Sequence, residues 1–163
     1  MGRSPETTYK IMSAIKSKDT RPEIKLRKEL WRRGLRYRKN VCSLPGCPDI
    51  VISKVKLAIF CDGDFWHGHN WAIRGYKTLE DELKRYSEKW ANKIQKNISR
   101  DLQVTKELEN FGWHVIRIWE SDIKTNVTRC GAMVEYTYWR ILKNIDEDDW
   151  GENDDWNEIN EIL

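Results

Sequence analysis

The chain reads as one α/β domain, and three observations predict that class. At 163 residues it is long enough for a single core of sheet covered by helices. Two apolar, β-branched runs lie close together, Asp49-Ile-Val-Ile52 and Val55 to Phe60. Around them, stretches with apolar residues every three or four positions read as helices, giving the order helix, strands, helix, strand, helix.

Residues 1–18 are polar, with Met12 and Ile15 spaced for a short helix or an arm. Thr20-Arg-Pro-Glu23 carries the signature of a helix start. Thr20 is the N-cap, Pro22 falls in the first turn where its missing N–H is harmless, and Glu23 holds the capping-box position. This helix is expected to reach about Arg33 and stop at Gly34, with Ile24, Leu30 and Trp31 near one face. Leu35 to Arg38 reads as a short strand and Leu44-Pro-Gly-Cys-Pro48 as a turn. The two apolar runs, joined by Ser53-Lys54, form a central hairpin. Residues 72–78 read as a loop. Leu79, Leu83, Tyr86, Trp90, Ile94 and Ile98 then mark one long helix, or two in series, ending at Phe111 before Gly112. Trp113 to Trp119 alternates as a strand does, and a last helix covers about Val127 to Lys143. The domain is therefore placed at 1–145, with residues 146–163 as a frayed or disordered tail.

Charge narrows the class of partner. The tail holds nine acids and no Lys or Arg, which leaves 29 bases against 17 acids, about +12, on the body. A body so basic suits a polyanion, most simply nucleic acid, although a plain solvated surface would explain the charge equally well. Nine Trp exceed what a core of this size needs, so some belong to a working surface. No signal peptide and no apolar run near the ~18–20 residues of a membrane span are present, so a cytoplasmic protein without membrane contact is expected. Cys42, Cys47, Cys61 and Cys130 form no C-x-x-C pair and are expected to be reduced thiols.

The hairpin brings chemistry together. Asp49 opens one strand and Asp62 follows the end of its neighbour, so the two carboxylates lie side by side. Such a pair repels unless a cation or proton sits between them, and oxygen ligands suit Mg²⁺. His67 or His69 can serve as a nearby base. Each residue also has a plainer reading. Asp49 suits a strand start, Asp62-Gly63 an ordinary turn, His67 a loop, and the capping box accounts fully for Glu23. The combination Pro48-Asp49, hairpin, Asp62-Gly-Asp-Phe-Trp-His67 is what points to function.

Five segments resemble the very-short-patch repair (Vsr-type) mismatch endonucleases. They are Ile15-x-Ser-Lys-Asp-Thr20 with Glu23, Leu44-Pro-Gly-x-Pro-Asp49, Ile59-Phe60-x-x-Gly63-x-Phe65-Trp66-His67, Lys93-Ile-x-Lys-Asn97 with Arg100-Asp101, and Gly112-Trp-x-Val-Ile-x-x-Trp119-Glu120. The likeness runs in order over roughly residues 8–125. It implies the PD-(D/E)xK (restriction-endonuclease-like) fold, a central mixed sheet flanked by helices. It also implies a Mg²⁺-dependent DNA endonuclease that nicks one strand beside a T·G mismatch, in repair of deaminated 5-methylcytosine alongside a cytosine methyltransferase. A restriction-type nuclease cutting matched duplex, or a non-cleaving DNA- or mismatch-binding module, are the alternatives. By position, Asp49 matches the Mg²⁺-binding aspartate, Cys61 the residue whose backbone carbonyl meets metal, His67 the catalytic histidine and Glu23 a glutamate ordering metal-bound water. Phe65 and Trp66 match aromatics wedged into DNA, and Trp90 a third wedge, although periodicity alone places Trp90 in the core. Arg21, Lys89, Lys93, Lys96 and Arg100 are expected at phosphates, with Asn97 also at the DNA, and the protein is expected to act as a monomer.

The sequence departs from the family at two places. Asp62 stands where well-known members carry a histidine, which leaves open one or two Mg²⁺ ions. Asp64, His69, Trp71 and Ser121 stand where those members hold a structural zinc with three cysteines and a histidine. A structural zinc needs about four N or S ligands, so no zinc is expected here, and Trp71 is expected to fill its volume.

Overall fold

Thr20 caps the first helix as its sequence predicts. A computed structural model describes residues 18–143. Within it, α1 (Arg21–Arg32) starts with Thr20 accepting from the Glu23 amide and ends beyond Arg33 at Gly34, whose φ is +84°. The Thr20 hydroxyl also donates to Glu23 Oε1 at 2.8 Å. The buried side of α1 is Leu26 and Leu30; Ile24 and Trp31, grouped near Leu30 by spacing, are exposed.

The sheet has the order β1 (Arg38–Lys39), β2 (Ile50–Ile52), β3 (Leu57–Asp62), β4 (His114–Trp119). The first two pairings are antiparallel and β3–β4 is parallel, so the sheet is mixed. The first strand lies later than Leu35–Arg38. Leu35 instead closes α1, donating from its amide to the Leu30 carbonyl. The hairpin stands, but its link is a short 3₁₀ turn, Ser53–Val55, closed by Lys56 at φ +48°. Asp62 is the last residue of β3, not the first beyond it.

Alternation along β3 sorts the sheet into two faces. Leu57, Ile59 and Cys61 pack beneath α1 and the C-terminal helices, with Leu26, Leu30, Ile118, Ile123 and Val134. Ala58 and Phe60 pack on the other side with Val104 and Leu108. The same alternation sends Asp62 to this second side. At Gly46 (φ +73°) a Cβ would lie 2.5 Å from Val104 Cγ1, so only glycine lets the turn before Asp49 sit so close.

The helical stretch after the hairpin is broken. A short α2 (Asn70–Ile73) occupies part of the expected loop, and α3 (Leu79–Leu83) and α4 (Glu88–Asn110) flank a break. Beside the break, the Tyr86 hydroxyl donates to Oε1 of the buried Glu82 at 2.5 Å. Ser87, in extended conformation, then occupies the N-cap position of α4, and Gly112 (φ +76°) follows its end. After β4 come α5 (Glu120–Thr125), which the sequence reading omitted, and α6 (Val127–Leu142). Cys42 and Cys47 are joined as a disulfide, a correction to the expectation of four thiols; Cys61 and Cys130 are free. Their close approach comes from the Leu44–Pro48 turn, which spacing alone does not reveal. No helix among the described residues is long and apolar enough to cross a membrane. The polar arm with Met12 and Ile15 and the acidic tail lie outside the described residues.

Candidate active site

The sheet's second face opens at the ends of β2 and β3 into a cleft of about 620 Å³. Glu23, Asp49, Asp62, His67, Asp101 and Arg117 line it. Asp49 Oδ2 accepts from the Cys61 amide at 2.7 Å, which fixes the carboxylate across the hairpin. Burial raises the Asp49 pKa, opposed by that amide, and the charges of Glu23 and Asp62 push it further, to about 6. Glu23 is 3% exposed and bound by Arg27 Nη2 at 3.0 Å. It is thus both the partner of the Thr20 cap and a wall of the cleft.

His67 and Asp101 form the second feature. His67 Nδ1 lies 2.5 Å from Asp101 Oδ2 and 3.8 Å from Asp62 Oδ1. An ionised carboxylate only accepts, so Nδ1 carries the proton toward Asp101 and Nε2 is left for chemistry. Burial pulls the His67 pKa down, but the Asp101 hydrogen bond and the charges of Asp62 and Asp101 more than offset it, and the net shift is upward. Gly68 permits this approach. Its φ is +75°, and a Cβ would lie 2.7 Å from Ile98 Cδ1 on α4. Gly68→Ala is expected to cost about 1–3 kcal/mol, read as a lower urea midpoint.

Aromatic rings form the opposite wall. Phe65 meets Trp66 at 5.0 Å, Tyr86 at 5.4 Å and Trp90 at 6.0 Å between centroids, and Trp66 meets Trp90 at 5.3 Å. Trp90 is half-buried in this cluster; of the helical stripe, Leu83 and Ile94 are the buried members. Lys93 Nζ sits 4.6 Å from the Trp66 ring, and Asn97 donates to the Trp66 carbonyl at 2.9 Å. Asn97 therefore braces the loop. Lys93 and Arg100 line the cleft, Lys96 lies with Arg100 along the outer side of α4, and Lys89 and Arg21 are exposed.

The cleft brings carboxylates and an imidazole together with aromatic and basic side chains. The family model for the DNA mismatch endonuclease Vsr matches residues 3–73. The type II nicking enzyme V.NmeDIP of Neisseria meningitidis serogroup C is 45% identical over 131 residues, covering 80% of this chain and 85% of that one. The type II nicking enzyme V.HpaIIP of Haemophilus parainfluenzae is 44% identical over 124 residues, 76% of this chain and 84% of that one. The DNA mismatch endonuclease Vsr of Escherichia coli is 35% identical over 118 residues, 72% of each chain. The chain belongs to the Vsr endonuclease family. It is thus an endonuclease of the PD-(D/E)xK fold, acting on DNA as the family does.

At the positions where the Vsr resemblance places zinc, side chains bind one another. Asp64, 5% exposed, accepts from the Ser121 amide at 3.1 Å and hydroxyl at 2.7 Å, and lies 2.9 Å from His69 Nδ1. The His69 ring stacks on Trp119 at 4.2 Å. Trp71 is half-buried on α2. This network joins the two ends of the Phe65-Trp66-His67 segment to the start of α5.

The sequence reading missed three site residues. Asp101 lies four and eight positions beyond Asn97 and Lys93, a spacing that puts all three on one helix face. Arg117 is a charge inside an apolar strand, paired in register with Phe60. Arg27, also buried, needed Glu23 as its partner to be noticed.

Proposed function

We propose that this Vsr-family chain is a Mg²⁺-dependent endonuclease that nicks one strand beside a T·G mismatch, in repair of deaminated 5-methylcytosine made by a partner cytosine methyltransferase. The observation that carries this reading is the cleft itself, lined by Asp49, Asp62 and the His67–Asp101 pair together with Phe65, Trp66 and Lys93, with Trp90 packed against the two aromatic rings.

The residues fit a hard divalent cation. Three carboxylates, Glu23, Asp49 and Asp62, crowd one cleft; Glu23 is paired with Arg27 and Asp62 with Arg117, whereas Asp49 is bound, among the described residues, only by the Cys61 amide. Asp49, the Cys61 carbonyl and Asp62 would hold Mg²⁺, and Glu23 would order its waters. A bound Mg²⁺ supplies polarisation of a phosphodiester and of an attacking water. His67 receives or delivers a proton at Nε2, with Asp101 holding the ring. Phe65 and Trp66 enter the base stack, which opens more easily at a mismatch, with Trp90 behind them. Lys93, Arg100, Lys96, Lys89 and Arg21 meet phosphates. The protein acts as a monomer in the cytoplasm.

End-labelled duplexes, matched and T·G-mismatched, incubated with Mg²⁺ or EDTA, test the reading. Nicking confined to the mismatch and abolished by EDTA is expected. Equal cutting of both duplexes would exclude mismatch repair in favour of a restriction-type nuclease. Band shifts without cutting in Mg²⁺ would indicate a binding module.

A further inference from the structure

Arg117 is held more firmly than a surface arginine and in an unusual place. Its Nη1 donates to both oxygens of Asp62, at 2.9 and 2.8 Å, and lies 3.3 Å from Asp101 Oδ1. Its Nε donates to Thr105 Oγ1 at 3.2 Å and its Nη2 to the Asp101 carbonyl at 3.4 Å. The guanidinium lies over Phe60, 4.3 Å from the ring centroid. Strands β3 and β4 and helix α4 therefore all position one cation at the floor of the cleft.

The ligand atoms of Asp62, His67 and Asp101 lie within 4.8 Å of one another, a spacing that would suit a metal ion. The guanidinium already sits against two of these three groups. Arginine keeps its charge at every relevant pH and resists displacement, since leaving would strand two partly buried carboxylates. A divalent ion in that triangle would meet a like charge fixed at contact distance. Asp49, by contrast, has only the Cys61 amide on Oδ2, and its Oδ1 accepts no hydrogen bond among the described residues.

We propose that Arg117 is the built-in second cation of this active site. It fills the place between Asp62 and Asp101, so the chain takes up one divalent ion, at Asp49 and the outer lone pairs of Asp62. The inference rests on the metal-dependent reading above and specifies its stoichiometry. Arg117 then supplies a permanent positive charge toward the phosphodiester without being loaded from solution.

The test is a count of bound Mn²⁺ by electron paramagnetic resonance and by calorimetry. The full chain is used at pH 8, with a T·G duplex whose backbone is phosphorothioate at the cleavage site. One ion per chain is expected for the wild type and for Arg117→Lys, and two for Arg117→Gln. Two ions in the wild type, or one in both wild type and a folded Arg117→Gln, would overturn the proposal. If Arg117→Gln does not fold, the wild-type count alone decides. No Mn²⁺ bound by the wild type would instead remove the metal-dependent reading itself. Asp49→Ala is expected to lose the wild-type ion, and its retention would place the metal elsewhere.

Discussion

Asp49→Asn should abolish nicking and, in metal-free buffer, make the protein more stable. Both follow from one position. The Asp49 carboxylate is buried beside Glu23 and Asp62 and titrates at about 6 rather than 3.8. Ionising it in the folded state is therefore unfavourable by at most about 3 kcal/mol. The sign is the reverse of a salt-bridged acid. The penalty is fully present above about pH 6 and fades as pH falls toward the unfolded value. Asparagine keeps a carbonyl oxygen for the Cys61 amide and brings no charge. At pH 8 in EDTA its unfolding free energy, from denaturant titration, should exceed that of the wild type by ~1–3 kcal/mol, and the gap should close between pH 6 and pH 4. Mg²⁺ should narrow the gap too, because the cation stabilises only the wild type. A variant that is less stable than wild type at every pH would show that Asp49 is neutralised by some other group.

His67→Ala should lower the nicking rate by about 10²–10⁴, the usual contribution of a positioned proton-transfer group. Asp101→Asn is the more informative change. It keeps an acceptor oxygen for Nδ1–H but removes the charge that helps to raise the His67 pKa and strengthens that hydrogen bond. If neutral His67 takes a proton at Nε2, the rate rises with pH through its pKa. Asp101→Asn should then reduce the rate and move that rising limb to lower pH. Single-turnover nicking across pH 5–9 at saturating Mg²⁺ reads both effects. A limb that stays in place would mean that another group sets it, and His67 would be a structural residue.

Much of the site lies in local sequence. A hairpin of two apolar strands necessarily sets the residue before the first beside the end of the second, so Asp49 and Asp62 could be paired on paper. The Thr20–Glu23 cap is likewise a four-residue affair. The helix break is less plain, because the sequence allows one long helix or two in series. The apolar stripe from Leu79 to Ile98 continues across the helix break, because Tyr86 and Trp90 keep helical spacing on either side. The break falls between Leu83 and Glu88, and Ser87-Glu88 is a usable local start signal for the second helix.

The amino-acid sequence by itself determined the hairpin, the flanking helices, the acids at one end of the sheet and the aromatic-histidine segment after it. Each is written in a pattern shorter than one element. Only the tertiary structure decided that Asp101 holds His67, that Arg117 crosses from β4 to neutralise Asp62, and that Asp64, His69 and Ser121 bind one another. These pairings join residues up to 57 positions apart, and no local period encodes them. The first two form because charges where α4 packs against the sheet must find partners there.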